Sequence, residues 1–79
     1  MKLPRNLSGV RLSKILCKSW GYTKVHQTGS HIILDTEDPS KQRIAIPAHK
    51  ALRIGTLNNI LRTVADHKGV SREKILSVF

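Results

Sequence analysis

His26, His31, His49 and His67 are the side chains of this chain best suited to moving a proton near neutral pH. An unperturbed imidazole titrates near about 6.5, so it is largely neutral yet still basic under cellular conditions. His31 stands apart because of its neighbours, Gly29-Ser30-His31-Ile32-Ile33-Leu34. Glycine supplies the positive φ demanded at the first position of a type II′ turn, so Gly29-Ser30 is expected to close a two-residue hairpin. His31 then opens the second strand, held by a sheet and open to water, where it can act as a general acid or base. Ser30 is turn chemistry first, and no acylation-type partner set accompanies it. His49 is the second catalytic candidate, in a loop after Pro47. His26 suits a phosphate contact. His67 suits the C-terminal end of a helix, where the dipole favours positive charge. Cys17 is the single cysteine. It excludes an internal disulfide, and with the scattered histidines and acids it offers no metal-ligand motif.

The elements that must position these residues follow from periodicity. Ser8 is placed to cap a first helix, with Leu7 and Leu12 as its hydrophobic staple. Leu12, Ile15, Leu16 and Trp20 form its apolar stripe, and Gly21 ends it. Arg11, Lys14 and Lys18 share another face that can meet phosphate or solvent. Tyr22–Thr28 reads as strand one, with Val25 pointing inward. A two-residue loop pairs Thr28 with His31 and Val25 with Leu34. Ile32 and Leu34 then share the inner face, while His26, Thr28, His31 and Ile33 share the outer one. Ile33 fits the outer face poorly, which points to a bulge or a partner surface.

Asp35–Gln42 reads as a turn, and Arg43–Pro47 as strand three with Ile44 and Ile46 inward. Ala48–Gly55 connects to a second helix, which Thr56 is expected to cap. Leu57, Ile60, Leu61, Val64 and Ala65 form the stripe of that helix, and Lys68-Gly69 ends it. Ser71 caps a last short helix, with Val70 and Ile75 as staple. Leu76 and Phe79 can pack back on the body. The expected fold is α+β: one domain over residues 1–79, ordered α-β-β-β-α with a short C-terminal helix. Both long helices cover one face of a three-stranded antiparallel sheet and leave the other open. Double-stranded RNA-binding domains use the same order.

Charge narrows the partners. Fourteen Lys and Arg oppose five Asp and Glu, a net charge of +9 at pH 7. Lys2, Arg5, Arg11, Lys14, Lys18 and Lys24 precede the first acid, and Asp35-Thr36-Glu37-Asp38 holds three of the five acids. So one-sided a field attracts polyanions and speeds their encounter, which favours nucleic acid. No apolar run approaches the ~20 residues that span a bilayer. The basic start Met1-Lys2-Leu3-Pro4-Arg5 lacks a following apolar region, so no signal peptide is expected and the cytoplasm is the expected compartment.

At this point the chain resembles a known family, the HicA toxins. The shared features are a basic helical start, Trp20-Gly21-Tyr22, Gly29-Ser30-His31 before strand residues, Ile46-Pro47-Ala48-His49, Gly55-Thr56-Leu57 with Ile60-Leu61, and a final short helix. The resemblance implies a double-stranded RNA-binding-domain-like fold and an endoribonuclease of a type II toxin–antitoxin system. It implies cleavage of mRNA with His31 as the catalytic residue, and a HicB-type antitoxin that occludes the site. Many members carry an Arg shortly before the glycine. Here that position lies in His26-Gln27-Thr28, so RNA contact there falls to His26 or Lys24.

RNA carries its own nucleophile, the 2′-hydroxyl. A base that takes its proton lets the oxygen attack the adjacent phosphorus. His31 is the candidate base, or alternates as base and acid, and this scheme requires neither metal nor small-molecule cofactor. Lys24, His26 or another basic group can stabilise charge on the phosphorane. The candidate RNA contacts are Lys14, Lys24, His26, Ser30 and His49. Three other functions remain open on these residues. One is a non-catalytic RNA-binding module of the same fold. Another is a DNA-binding helix-turn-helix built from Leu57–Lys68 and Ser71–Phe79, with Arg72 and Lys74 as its basic groups. The third is a basic surface fitted to an acidic protein.

Overall fold

The computed structural model describes residues 6–79, and the basic stretch Met1-Lys2-Leu3-Pro4-Arg5 lies outside them. Helix α1 spans Gly9–Ser19, and strands β1, β2 and β3 span Thr23–Thr28, His31–Thr36 and Gln42–Pro47. Helix α2 spans Ile54–Lys68 and α3 spans Arg72–Leu76. The strands form one antiparallel sheet in the order β1-β2-β3. The architecture is the α+β, double-stranded RNA-binding-domain-like arrangement expected from the sequence.

Capping explains where the helices begin and stop. The Ser8 Oγ accepts the Arg11 N–H at 3.0 Å, so one orphan amide of α1 is satisfied. The Ser71 Oγ accepts the Lys74 N–H at 3.2 Å in the same way. Gly69, with φ of 69°, ends α2 in the left-handed region, and its N–H donates to the Ala65 carbonyl. Thr56 is not the cap of α2. The helix begins two residues earlier at Ile54, and Arg53 occupies the cap position with no side-chain hydrogen bond. The burial of Leu52 and Leu57 holds that end of the helix in place of a cap.

The core lies between the sheet and the helices. Leu12, Leu16, Leu34, Ile46, Leu57, Leu61, Val64 and Ile75 are fully buried. Ile44, Leu76 and Phe79 are partly buried against them. Trp20 also packs there, and its Nε1 is buried with no hydrogen-bond partner. Tyr22 is buried too, and its hydroxyl donates to the Gln42 Oε1 at 2.6 Å.

The β1–β2 register departs from strict alternation. Thr28 pairs with His31, Gln27 with Ile32 and His26 with Ile33, as the two-residue loop requires. The register then shifts, and Lys24 rather than Val25 pairs with Leu34. Val25 is the extra residue of a β-bulge and is 45% exposed, not inward. The bulge lies in β1, so it leaves Ile33 on the outer face, half-buried between His26 and Ala45. The strand ends shift as well. β2 continues through Asp35 and Thr36, where Arg43 Nε and Nη2 bind the two Asp35 carboxylate oxygens at 2.8 and 3.0 Å. That pairing holds the Asp35 carboxyl below the usual range. No helix of the described residues is long and apolar enough to cross a membrane.

Candidate active site and nucleic-acid surface

His31 begins the central strand, flanked by Thr28 of β1 and Pro47 of β3. Its neighbours Ile32 and Leu34 are buried, so strand alternation turns His31 to the open face, where it is exposed. Gly29 has φ of 48°, and Ser30 lies outside the positive region, the sign pattern of a type II′ turn. The Ala48 N–H donates to the Ser30 carbonyl at 2.7 Å, which ties the turn to the chain leaving β3. The Ser30 hydroxyl lies 3.2 Å from His31 Nδ1. If Nδ1 carries the proton and donates to Ser30, Nε2 presents a lone pair to solvent and is a base. In the other tautomer Ser30 donates, and Nε2–H is an acid. One contact therefore orients the ring for either direction of proton transfer.

The Pro47–His49 segment is wedged against the start of α1. The Gly9 N–H donates to the His49 carbonyl at 3.0 Å. A Cβ on Gly9 would lie 1.8 Å from the Pro47 carbonyl oxygen, so only glycine fits. This close approach brings the N-terminus of α1, His49 and the hairpin tip to one end of the molecule. Sequence reading passes over Gly9, because a glycine at the first turn of a helix gives no sign of what crosses it.

The expected site residues divide into two groups. His26 shares the open face with His31, because it pairs with Ile33, two residues further along β2. Such diagonal neighbours lie about 7–8 Å apart, close enough to contact one phosphodiester together. Ser30 touches the His31 ring, and His49 is exposed in the adjoining loop. Lys14 and Lys24 are elsewhere. Lys24 pairs with the buried Leu34, so the bulge sends it to the helix side of the sheet. There it lines an open groove of about 340 Å³ with Ser13, Lys14, Cys17 and Lys18 of α1. Of the basic groups that could stabilise charge on the phosphorane, Lys24 lies on the opposite side of the sheet from His31, and His26 shares the face of His31. Burial pushes the Cys17 thiol up, and a hydrogen bond from the Lys24 backbone with the charge of its ammonium offsets part of that shift.

Other features serve the fold. His67 Nε2 meets the Ser40 carbonyl at 2.8 Å, so it fastens the β2–β3 loop to α2 as well as facing the helix end. Lys68 Nζ donates to Thr36 Oγ1 at 3.0 Å and to the Asp38 carbonyl, and lies 4.8 Å from the Tyr22 ring centroid. A larger groove, about 540 Å³, is lined by Asp35, Glu37 and Asp38 at the opposite end of β2 from His31. Its acids repel phosphate. Among the described residues no group of three or more His, Cys, Asp or Glu side chains could hold a metal ion. The helix-turn-helix alternative fits poorly. α3 has five residues, buries Ile75, and turns Arg72 back to donate to Asn58 Oδ1 of α2.

Residues 11–65 match the family model described as HicA toxin of bacterial toxin–antitoxin. No curated protein and no solved structure matches the chain. The matched segment contains most of α1, the whole sheet, the Pro47–His49 loop and most of α2, and with them His31 and the candidate RNA contacts Lys14, Lys24, His26, Ser30 and His49.

Proposed function

Since the chain belongs to the HicA toxin family, we propose that it is the endoribonuclease toxin of a type II toxin–antitoxin pair, cutting mRNA in the cytoplasm. The observation that carries this reading is His31 itself, an exposed imidazole on a rigid central strand, with its Nδ1 against Ser30 and its Nε2 free to meet substrate. His31 Nε2 takes the proton of the 2′-hydroxyl, and the 2′-oxygen attacks the adjacent phosphorus. The bond from phosphorus to the 5′-oxygen breaks, and that oxygen receives a proton from the imidazolium. The products are a 2′,3′-cyclic phosphate and a 5′-hydroxyl. His26, on the same face, favours the charge that develops on phosphorus, and His49 borders the site. The net charge of +9 raises the local concentration of RNA. A HicB-type antitoxin then neutralises the toxin by covering this open face.

The test is RNA cleavage by the purified protein and its His31→Ala variant, side by side and with EDTA present. Cleavage by the wild type alone, with the variant folded and still binding RNA, is the expected result. Equal cleavage by both would remove His31 from the mechanism and make His49 the next candidate. Tight binding without cleavage by either would leave a non-catalytic RNA-binding module.

A further inference from the structure

The groove between α1 and β1 is not used by the chemistry at His31, and its composition is unusual. Lys14 and Lys18 stand one helical turn apart on α1, and Lys24 reaches them from β1. Three ammonium groups thus line one groove whose remaining lining is Ser13 and Cys17. None of the three takes part in a salt bridge among the described residues, where the one salt bridge joins Arg43 to Asp35. Lys24 makes only a long contact, 3.4 Å, to the Gln27 Oε1. Like charges gathered without counter-charges repel one another, and the bulge at Val25 is what adds the third. A regular strand would place Lys24 on the other face.

We propose that this groove binds the phosphodiester backbone of RNA, so that the strand cut at His31 continues across β1 and into the lysines. The proposal rests on the RNA-cleaving reading above and assigns the path of the substrate. β1 suits the crossing because it is an edge strand and all six of its residues are exposed. His26 on one side of β1 and Lys24 on the other are separated only by the bulge residue, so adjacent phosphates of one strand can meet both. The contact is to backbone and carries no base preference.

Cys17 makes the test local. It is the chain's single cysteine and lies in the groove, so alkylation by iodoacetamide reports whether the groove is covered. The His31→Ala background keeps RNA intact during the measurement. With a saturating single-stranded RNA oligonucleotide of mixed sequence, Cys17 is expected to alkylate several-fold more slowly than in free protein. An unchanged rate in the RNA-saturated protein would overturn the proposal. The second arm replaces Lys14, Lys18 and Lys24 with Gln and follows RNA affinity against salt. Each lost phosphate contact removes about 0.7 from the slope of log affinity on log salt for a single strand, so the slope should fall by about 2. Lys41→Gln, Arg62→Gln and Lys74→Gln together remove the same charge from exposed positions elsewhere. Equal losses in both triple variants would mean that net charge alone acts, and would also overturn the proposal. Cleavage and binding that persist with an unprotected Cys17 would sink the groove and leave the activity standing. Absence of any RNA binding by the wild type would sink both.

Discussion

Gly9→Ala is a one-methyl perturbation with a large expected effect. The added Cβ would meet the Pro47 carbonyl oxygen at 1.8 Å and its carbonyl carbon at 2.9 Å. An ordinary carbon–oxygen contact is about 3.3 Å, so the two segments must separate by about 1.5 Å. Neither side can yield cheaply, because both atoms in the clash belong to backbone. Pro47 is paired to His31 within the sheet, and Gly9 is anchored by its hydrogen bond to His49. Overpacking of this kind costs typically about 1–3 kcal/mol, and loss of the Gly9–His49 hydrogen bond adds about 1 kcal/mol. The better helix propensity of alanine returns at most about 1 kcal/mol. The net destabilisation spans about 1–4 kcal/mol, with a central value of about 2–3 kcal/mol. For a domain of this size 1 kcal/mol moves the midpoint by about 4–8 °C, so Tm should fall by roughly 10–20 °C. Thermal unfolding followed by far-ultraviolet circular dichroism measures it, with Val10→Ala, at a 44% exposed neighbour, as the control. A Gly9→Ala variant that melts within a few degrees of wild type would refute the wedge between α1 and the Pro47–His49 loop. In a variant that remains folded, the same displacement should lower RNA cleavage, since Pro47 flanks His31.

Ser30→Ala should leave the fold intact and slow cleavage about fivefold, the worth of one neutral hydrogen bond of about 1 kcal/mol. An unchanged kcat would show that Ser30 does not orient His31. Ser8→Ala should cost about 1 kcal/mol through the lost cap, whereas Thr56→Ala, inside α2, should cost nothing measurable in urea unfolding. Equal losses would contradict the observed helix starts. Burial pushes the Tyr22 hydroxyl from its ordinary value of 10.0 up to about 12. The folded state therefore holds this proton more tightly than the unfolded chain, and the resulting stability is fully present below pH 10 and is lost as pH rises towards 12. The urea midpoint of the wild type should fall between pH 9 and pH 11 more steeply than that of Tyr22→Phe, and parallel curves would count against the buried phenol.

Much of this molecule follows from local rules. Ser8 and Ser71 cap because a hydroxyl at those positions reaches an orphan amide three residues on, and Gly69 stops α2 because it accepts a positive φ. Gly29-Ser30 sets the hairpin, and with a two-residue loop the pairing of Thr28 with His31 is determined. These are properties of a few neighbouring residues, so the order of elements, the open face and the exposed His31 could be read in advance. Periodicity failed where tertiary packing chose between near-equal alternatives. Val25 looks like an inward strand residue, but the β1–β2 register shifts there, and the bulge turns Lys24 towards Lys14 and Lys18. A shift of one residue reverses every side chain beyond it, and no local pattern announces such a shift. Thr56 has the chemistry of a cap, yet α2 starts at Ile54, where burial of Leu52 and Leu57 sets the helix against the sheet. The Gly9–Pro47 approach, the Lys68 bonds to Thr36 and Asp38, and the His67 contact to Ser40 join residues far apart in the chain. The sequence by itself determined which groups could do chemistry and which strand would carry them. Only the tertiary structure decided which face each cation occupies, because that depends on register and on contacts between segments that are distant in sequence.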